Sequence, residues 1–76
     1  MEFILLQELI ADTLGIDEEK ITIESDLASD LGADSLDAAE LIMAIEDKFG
    51  ISISDNEAQK FKTVAEIWDY ILLNKN

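Results

Sequence analysis

The sequence predicts an all-α fold: a four-helix bundle with three longer helices, one short helix and a long loop between the first and second helices. Three observations lead there. Apolar residues recur at helical three- to four-residue spacing over most of the chain. No proline interrupts it, and Gly15 and Gly50 fall where two of the periodic runs stop. With 76 residues, 49% of them hydrophobic, the chain is too apolar for a disordered acidic tail and sized for one small core, so residues 1–76 are expected to form a single domain.

The first helix is expected over Glu2–Leu14, where Phe3, Leu6, Leu9, Ile10 and Leu14 share a face. Gly15 follows, where a helix end favours a residue tolerant of positive φ. The next stretch, Ile16–Asp34, has no sustained period. Its spaced apolar residues Ile16, Ile21, Ile23, Leu27 and Leu31 are suited to pinning a connector to a core. A long irregular connection in a small domain is either such a packed loop or a functional one. The middle helix runs from about Ser35 to Phe49 and stops at Gly50. A weaker short helix covers Asp55–Phe61, with Ser54 or Asp55 as its cap. Thr63 caps the last helix and Glu66, three residues on, completes a capping box. Val64, Ile67, Trp68, Ile71 and Leu72 then follow at i, i+3, i+4, i+7 and i+8.

Charge and composition exclude several functions. Eighteen carboxylates against five lysines give a net charge of −13, and no segment reverses the sign. Nucleic acid is therefore a poor partner, since phosphate binding needs a cationic face. Apolar runs such as Phe3–Leu6 and Leu41–Ile45 are far short of the roughly 20 residues of a membrane span. No basic region precedes an apolar one at the N-terminus, so no signal peptide is expected and the protein is expected in the cytoplasm. Cysteine is absent, which excludes disulfides, thiolate metal sites and a cysteine nucleophile. Histidine is absent as well, removing the usual general base and the commonest zinc ligand. No catalytic residue and no metal site is expected. The acidic stretch Asp26–Asp37 matches the twelve-residue span of a calcium loop, but Ala28 and Leu31 occupy the third and sixth positions, where a ligand and a glycine are required.

Two features of the middle helix carry the functional reading. On a helical wheel Ala38, Leu41, Ile42, Ile45 and Phe49 cluster on one side, the core face. Leu36 and Met43 fall nearly opposite, with Ala39 between the faces and Glu40, Asp47 and, at the edge, Glu46 alongside. An apolar centre with a charged rim is the composition of a docking patch. Met suits it because its side chain adapts to several partners. Scattered exposed apolar residues are also ordinary, so the pattern alone does not settle the matter. The second feature is Ser35, at the cap or first turn of this helix just after Gly32. Ser and Asp at helix starts are usually only caps. A phosphate attached there would meet unpaired backbone N–H groups. Ser35 is not a catalytic nucleophile, because there is no His to take its proton. It reads as a hydroxyl that another enzyme modifies.

The full string is more specific than its parts. Leu31-Gly32-Ala33-Asp34-Ser35-Leu36-Asp37, then Glu40-Leu41-Ile42-Met43, then Glu46-Asp47 and Phe49, resembles the acyl carrier protein family. The resemblance extends over the chain, through Phe3–Gly15, Ile53–Ala58 and Thr63-Val64. It is closest to the free-standing carriers of dissociated bacterial fatty acid synthesis. It implies a 4′-phosphopantetheine arm on Ser35, moved there from coenzyme A by a Mg²⁺-dependent phosphopantetheinyl transferase. The arm's thiol holds acyl chains as thioesters. The resemblance further implies that Asp34, Leu36, Asp37, Ala39, Glu40, Met43, Glu46 and Asp47, with Asp55 and Glu57 in the short helix, meet basic patches on fatty acid synthesis enzymes. A monomeric, non-catalytic carrier is expected. Departures from the family are Ser54 where many members have Pro, Asn56 and Gln59 where acidic residues are common, Ala39 for a common Val, and Trp68 in the last helix. They leave open a carrier for a polyketide or other specialised lipid pathway. An unmodified acidic adaptor using the Leu36/Met43 patch is the reading from a different class.

Overall fold

The computed structural model describes residues 3–74, and the chain in it is helical. Four helices follow in order: α1 (Phe3–Leu14), α2 (Ser35–Phe49), α3 (Asp55–Lys60) and α4 (Val64–Asn74). The four-helix arrangement with one short member and a long first connection is the one expected. Glu2, expected in the first helix, lies outside the described residues. The short helix ends at Lys60, because Phe61 is already extended at φ −78° and ψ 112°. A 3₁₀ turn at Glu18–Lys20, which the sequence pattern did not indicate, breaks the long connection.

The core is aliphatic. Leu6 and Ile10 of α1, Leu41 and Ile45 of α2, and Val64, Ile67 and Ile71 of α4 are fully buried. Each set recurs at three- or four-residue spacing, so each helix turns one stripe inward. Aromatic residues close the rim: Phe3 meets Trp68 edge-on at 5.3 Å between ring centroids, and Phe61 meets Tyr70 in the same way at 5.5 Å. The last turn of α4 departs from the expected stripe, since Leu72 is 44% exposed. It lies one residue past Ile71, about 100° around the helix, and so off the stripe that Ile67 and Ile71 fill.

The long loop is held by buried apolar side chains and by hydrogen bonds. Ile21, Leu27 and Leu31 are buried, whereas Ile23 is 39% exposed and pins nothing. Gln7 Nε2 donates to the Ile21 carbonyl at 2.7 Å, tying the loop to α1. Ser25 is the buried polar residue here, and its hydroxyl is satisfied by Thr22 and the Lys20 carbonyl. The loop also pairs with the segment entering α4. Leu27 N–H donates to the Lys62 carbonyl at 2.8 Å and Val64 N–H to the Ser25 carbonyl at 3.0 Å, around an antiparallel bridge between Asp26 and Thr63. This strand-like rung fixes where the loop enters α2.

Candidate functional site

The rung brings three backbone segments together around Ser35. After Leu27 the chain closes a tight turn: Asp26 Oδ1 accepts from Ala28 and Ser29 N–H, and Asp30 Oδ2 accepts from Asp26 N–H at 2.7 Å. These donors, with Ser29 foremost, hold the Asp26 carboxyl below its ordinary pKa despite partial desolvation. Gly32 then takes φ +71°, which a residue with a Cβ seldom adopts, and Ala33 N–H returns to the Leu27 carbonyl at 2.8 Å. The next two residues begin α2.

At that start Asp34 is the N-cap. Its Oδ1 accepts from Asp37 N–H at 2.9 Å, and Asp37 Oδ2 accepts from Asp34 N–H at 3.3 Å, forming a reciprocal capping box with Asp in place of the usual Glu. Ser35 is therefore the first helical residue and not the cap. It is exposed, and the capping hydrogen bonds run past its hydroxyl between Asp34 and Asp37. The far end of α2 stops at Gly50, with φ +67° and its N–H on the Glu46 carbonyl.

The expected two faces of α2 are present. Leu41 and Ile45 are fully buried and Ala38, Ile42 and Phe49 half-buried, while Leu36 is 69% and Met43 68% exposed. Glu40 and Asp47 lie exposed beside them, and Ala39, between the faces, is exposed as well. Glu46 differs from its rim neighbours. It is half-buried, and its Oε2 accepts from Ile53 N–H at 2.8 Å, so its carboxylate secures the α2–α3 connection. Asp34 and Asp37 likewise serve the helix start. On α3, Ser54 is the cap through Glu57 N–H at 3.2 Å; Asp55 is exposed and Glu57 half-buried, reaching Lys60 at 4.0 Å.

Beside Ser35 lies a cleft of about 380 Å³. Asp26, Leu27, Ala28, Ala33 and Asp34 of the loop, Ser35 and Ala38 of α2, and Phe61 and Lys62 before α4 line it. The sequence pattern did not reveal Ala28, Phe61 or Lys62 as neighbours of Ser35, because backbone pairing across the rung brings them there. Lys62 stands near two carboxylates, Asp26 and Glu66, that feel its charge but accept their hydrogen bonds from backbone N–H groups. Asp26 serves its own turn, and Glu66 Oε1 accepts from Lys62 N–H at 2.7 Å and Thr63 N–H at 3.0 Å. Those two N–H donors hold the Glu66 carboxyl below its ordinary pKa. Thr63 Oγ1 accepts from Glu66 N–H in return, completing the capping box expected for α4.

The arrangement suits a phosphate-linked group: an accessible primary hydroxyl at a capped helix start, next to a largely apolar cleft whose charged lining is Lys62 with Asp26 and Asp34. Among the described residues no helix is long and apolar enough to cross a membrane.

Comparison with known proteins agrees with this geometry. A family model described as a phosphopantetheine attachment site matches residues 5–71. An acyl carrier protein of Thermosynechococcus vestitus is 50% identical over 66 residues, covering 87% of this chain and 82% of the relative. One from Syntrophobacter fumaroxidans is 48% identical over 68 residues, covering 90% and 84%. A solved structure described as an acyl carrier protein of Mycobacterium tuberculosis superposes with a TM-score of 0.85 at 36% identity, covering 91% of this chain and 92% of that one. An all-α bundle, a phosphopantetheine attachment region spanning most of the chain and close sequence relatives agree: this chain belongs to the acyl carrier proteins, non-catalytic carriers that work through a covalent 4′-phosphopantetheine.

Proposed function

We propose that Ser35 bears the phosphopantetheine and that the chain delivers acyl groups to the enzymes of fatty acid synthesis. The observation that carries the attachment site is the exposed Ser35 hydroxyl at the first turn of α2, beside a cleft able to receive an arm. Attachment forms a bond from Ser35 Oγ to the phosphate of the pantetheine half of coenzyme A and breaks that phosphate's bond to the nucleotide half. The base that takes the Ser35 proton belongs to the transferase, since this chain has neither His nor Cys. The bound group supplies a thiol that carries acyl chains as thioesters. The capping box of Asp34 and Asp37 holds the attachment point rigid.

The exposed face of α2 is the docking surface in this reading. Leu36 and Met43 supply the area to be buried, and Glu40 and Asp47 steer basic partners. Asp34, Asp37 and Glu46 add charge to the same edge while their carboxylates support the fold, Ala39 lets a partner approach closely, and Asp55 and Glu57 extend the surface onto α3. A carrier must release each partner after transfer. Electrostatic steering over a small apolar contact gives fast encounter without a long-lived complex. Fatty acid synthesis is favoured over a specialised pathway by the resemblance of Leu31–Asp37, Glu40–Met43, Glu46-Asp47 and Phe49 to the free-standing carriers.

Identifying the thioester-bound acyl groups tests the pathway. The loaded protein is recovered from its native host and the acyl groups are released and analysed. A ladder of saturated and β-oxygenated chains growing by two carbons is expected. A single unusual or branched acyl group would overturn the fatty acid assignment and leave the carrier role standing.

A further inference from the structure

We propose that Lys62 is a positioning residue for the phosphopantetheine, its ammonium drawing the phosphodiester on Ser35 toward the cleft and laying the start of the arm along Ala28 and Phe61. The inference rests on the attachment reading for Ser35.

The charge around Ser35 makes the case. A phosphodiester there adds an anion to a chain of net charge −13, directly between the carboxylates of Asp34 and Asp37. The capping box takes the Asp37 N–H and the Ala38 N–H is on the Asp34 carbonyl, so at the helix start only the Ser35 and Leu36 N–H groups are left for the phosphate. Lys62 is the one cation in the wall of the cleft. The acids nearest to it in the rung are Asp26 and Glu66. Both carboxylates are turned onto backbone N–H groups, and among the described residues Lys62 forms no ion pair. Its charge reaches both carboxylates only through space, without a direct ion pair, and Lys62 lines the same cleft as Ser35, so a phosphodiester there can compete for it. Besides Asp26 and Asp34, whose like charge the ammonium offsets, the wall is apolar, with Leu27, Ala28, Ala33, Ala38 and Phe61, which suits the hydrocarbon part of pantetheine once the phosphate is drawn in.

The structural work of residue 62 is done by its backbone, whose carbonyl accepts from Leu27 N–H and whose N–H donates to Glu66. The side chain is exposed, so Lys62→Gln preserves the rung and isolates the charge.

The test compares the wild type, Lys62→Gln and Lys62→Arg, each loaded enzymatically from coenzyme A and checked by intact mass before measurement. Nuclear Overhauser effects from the geminal methyl groups of the arm to Ala28 and Phe61 report docking, and the ³¹P resonance reports the surroundings of the phosphodiester. At low salt the wild type should show these effects. Lys62→Gln should lose about two- to fivefold of their intensity, the range of an exposed charge pair, with a displaced ³¹P line. Lys62→Arg should retain them, and added NaCl should bring the wild type toward the Gln variant. Unloaded Lys62→Gln should melt with the wild type, which separates the effect from a loss of structure. Equal intensities in the wild type and Lys62→Gln, or none in the loaded wild type at low salt, would overturn the proposal while leaving attachment intact. A protein that takes up no arm at Ser35 would instead remove the attachment reading and this proposal with it.

Discussion

Ile45 and Met43 are two residues apart on α2 and have opposite surroundings, so truncating each to alanine separates packing from docking. Ile45 has no exposed surface and packs in the core formed with Leu6, Leu41 and Ile67. Ile45→Ala removes buried carbon and leaves a cavity, which costs roughly 2–5 kcal/mol. A domain of this size holds on the order of 4–11 kcal/mol in total, so the loss is a large share of it. At about 4–8 °C per kcal/mol for a chain of this length, a cost near 3 kcal/mol lowers Tm by roughly 12–24 °C. Met43 is 68% exposed, and its truncation should fall within about 0.5 kcal/mol, a shift of no more than roughly 4 °C. The assay pairs melting curves with steady-state transfer from the loaded carrier to a fatty acid synthesis enzyme. Met43→Ala should keep its Tm and lose transfer efficiency. If it melts as early as Ile45→Ala, Met43 is a packing residue and the two-faced helix is wrong. If it melts and transfers as the wild type does, the apolar centre of the proposed docking surface has no role.

Three other outcomes are expected. Glu40→Lys should slow association with a basic partner enzyme and flatten its salt dependence, measured by stopped-flow across ionic strength; an unchanged rate and slope would make the acidic rim a solvated face only. Added NaCl, and more so Mg²⁺ or Ca²⁺, should raise Tm, because a net charge of −13 on this small domain is self-repelling; a flat response would show that the repulsion is unimportant. Folding lowers the pKa of Asp26 and Glu66, so their contribution is present above the ordinary carboxylate range and fades as pH falls through it. Asp26→Asn and Glu66→Gln should therefore lower Tm at neutral pH, and the gap to the wild type should close on acidification. A gap that widens toward acid would contradict the assigned hydrogen bonds.

What was legible in the sequence was mainly what repeats. Stripes such as Leu6–Ile10 and Ile67–Ile71 announce helices, because one buried face per helix imposes a period on the residue types. The caps were legible as well: Ser54, and the Thr63–Glu66 pair, use side chains whose spacing is fixed by one helical turn. The apolar pattern misled at the margin of a stripe and in the loop, so Leu72, one residue around the helix from buried Ile71, and Ile23 are exposed although their spacing or type suggested core. The rung between Asp26 and Thr63 left no trace, since it consists of backbone bonds between segments far apart in sequence. The cleft that this rung builds, and with it the placing of Phe61 and Lys62 near Ser35, was hidden for the same reason. Glu46 shows the opposite case. Its place on the wheel suggested a rim residue, but a carboxylate can reach across a turn, and here it reaches Ile53 N–H.

Intact-mass spectrometry of the wild type and Ser35→Ala, each incubated with coenzyme A, Mg²⁺ and a phosphopantetheinyl transferase, tests the assignment of the carrier site most directly. Ser35 is exposed and outside the capping bonds, so the alanine variant should fold as the wild type does, which circular dichroism verifies. The wild type should gain the mass of one phosphopantetheine and Ser35→Ala none. A wild type that gains nothing, or a Ser35→Ala variant that gains the same mass, would contradict attachment at Ser35.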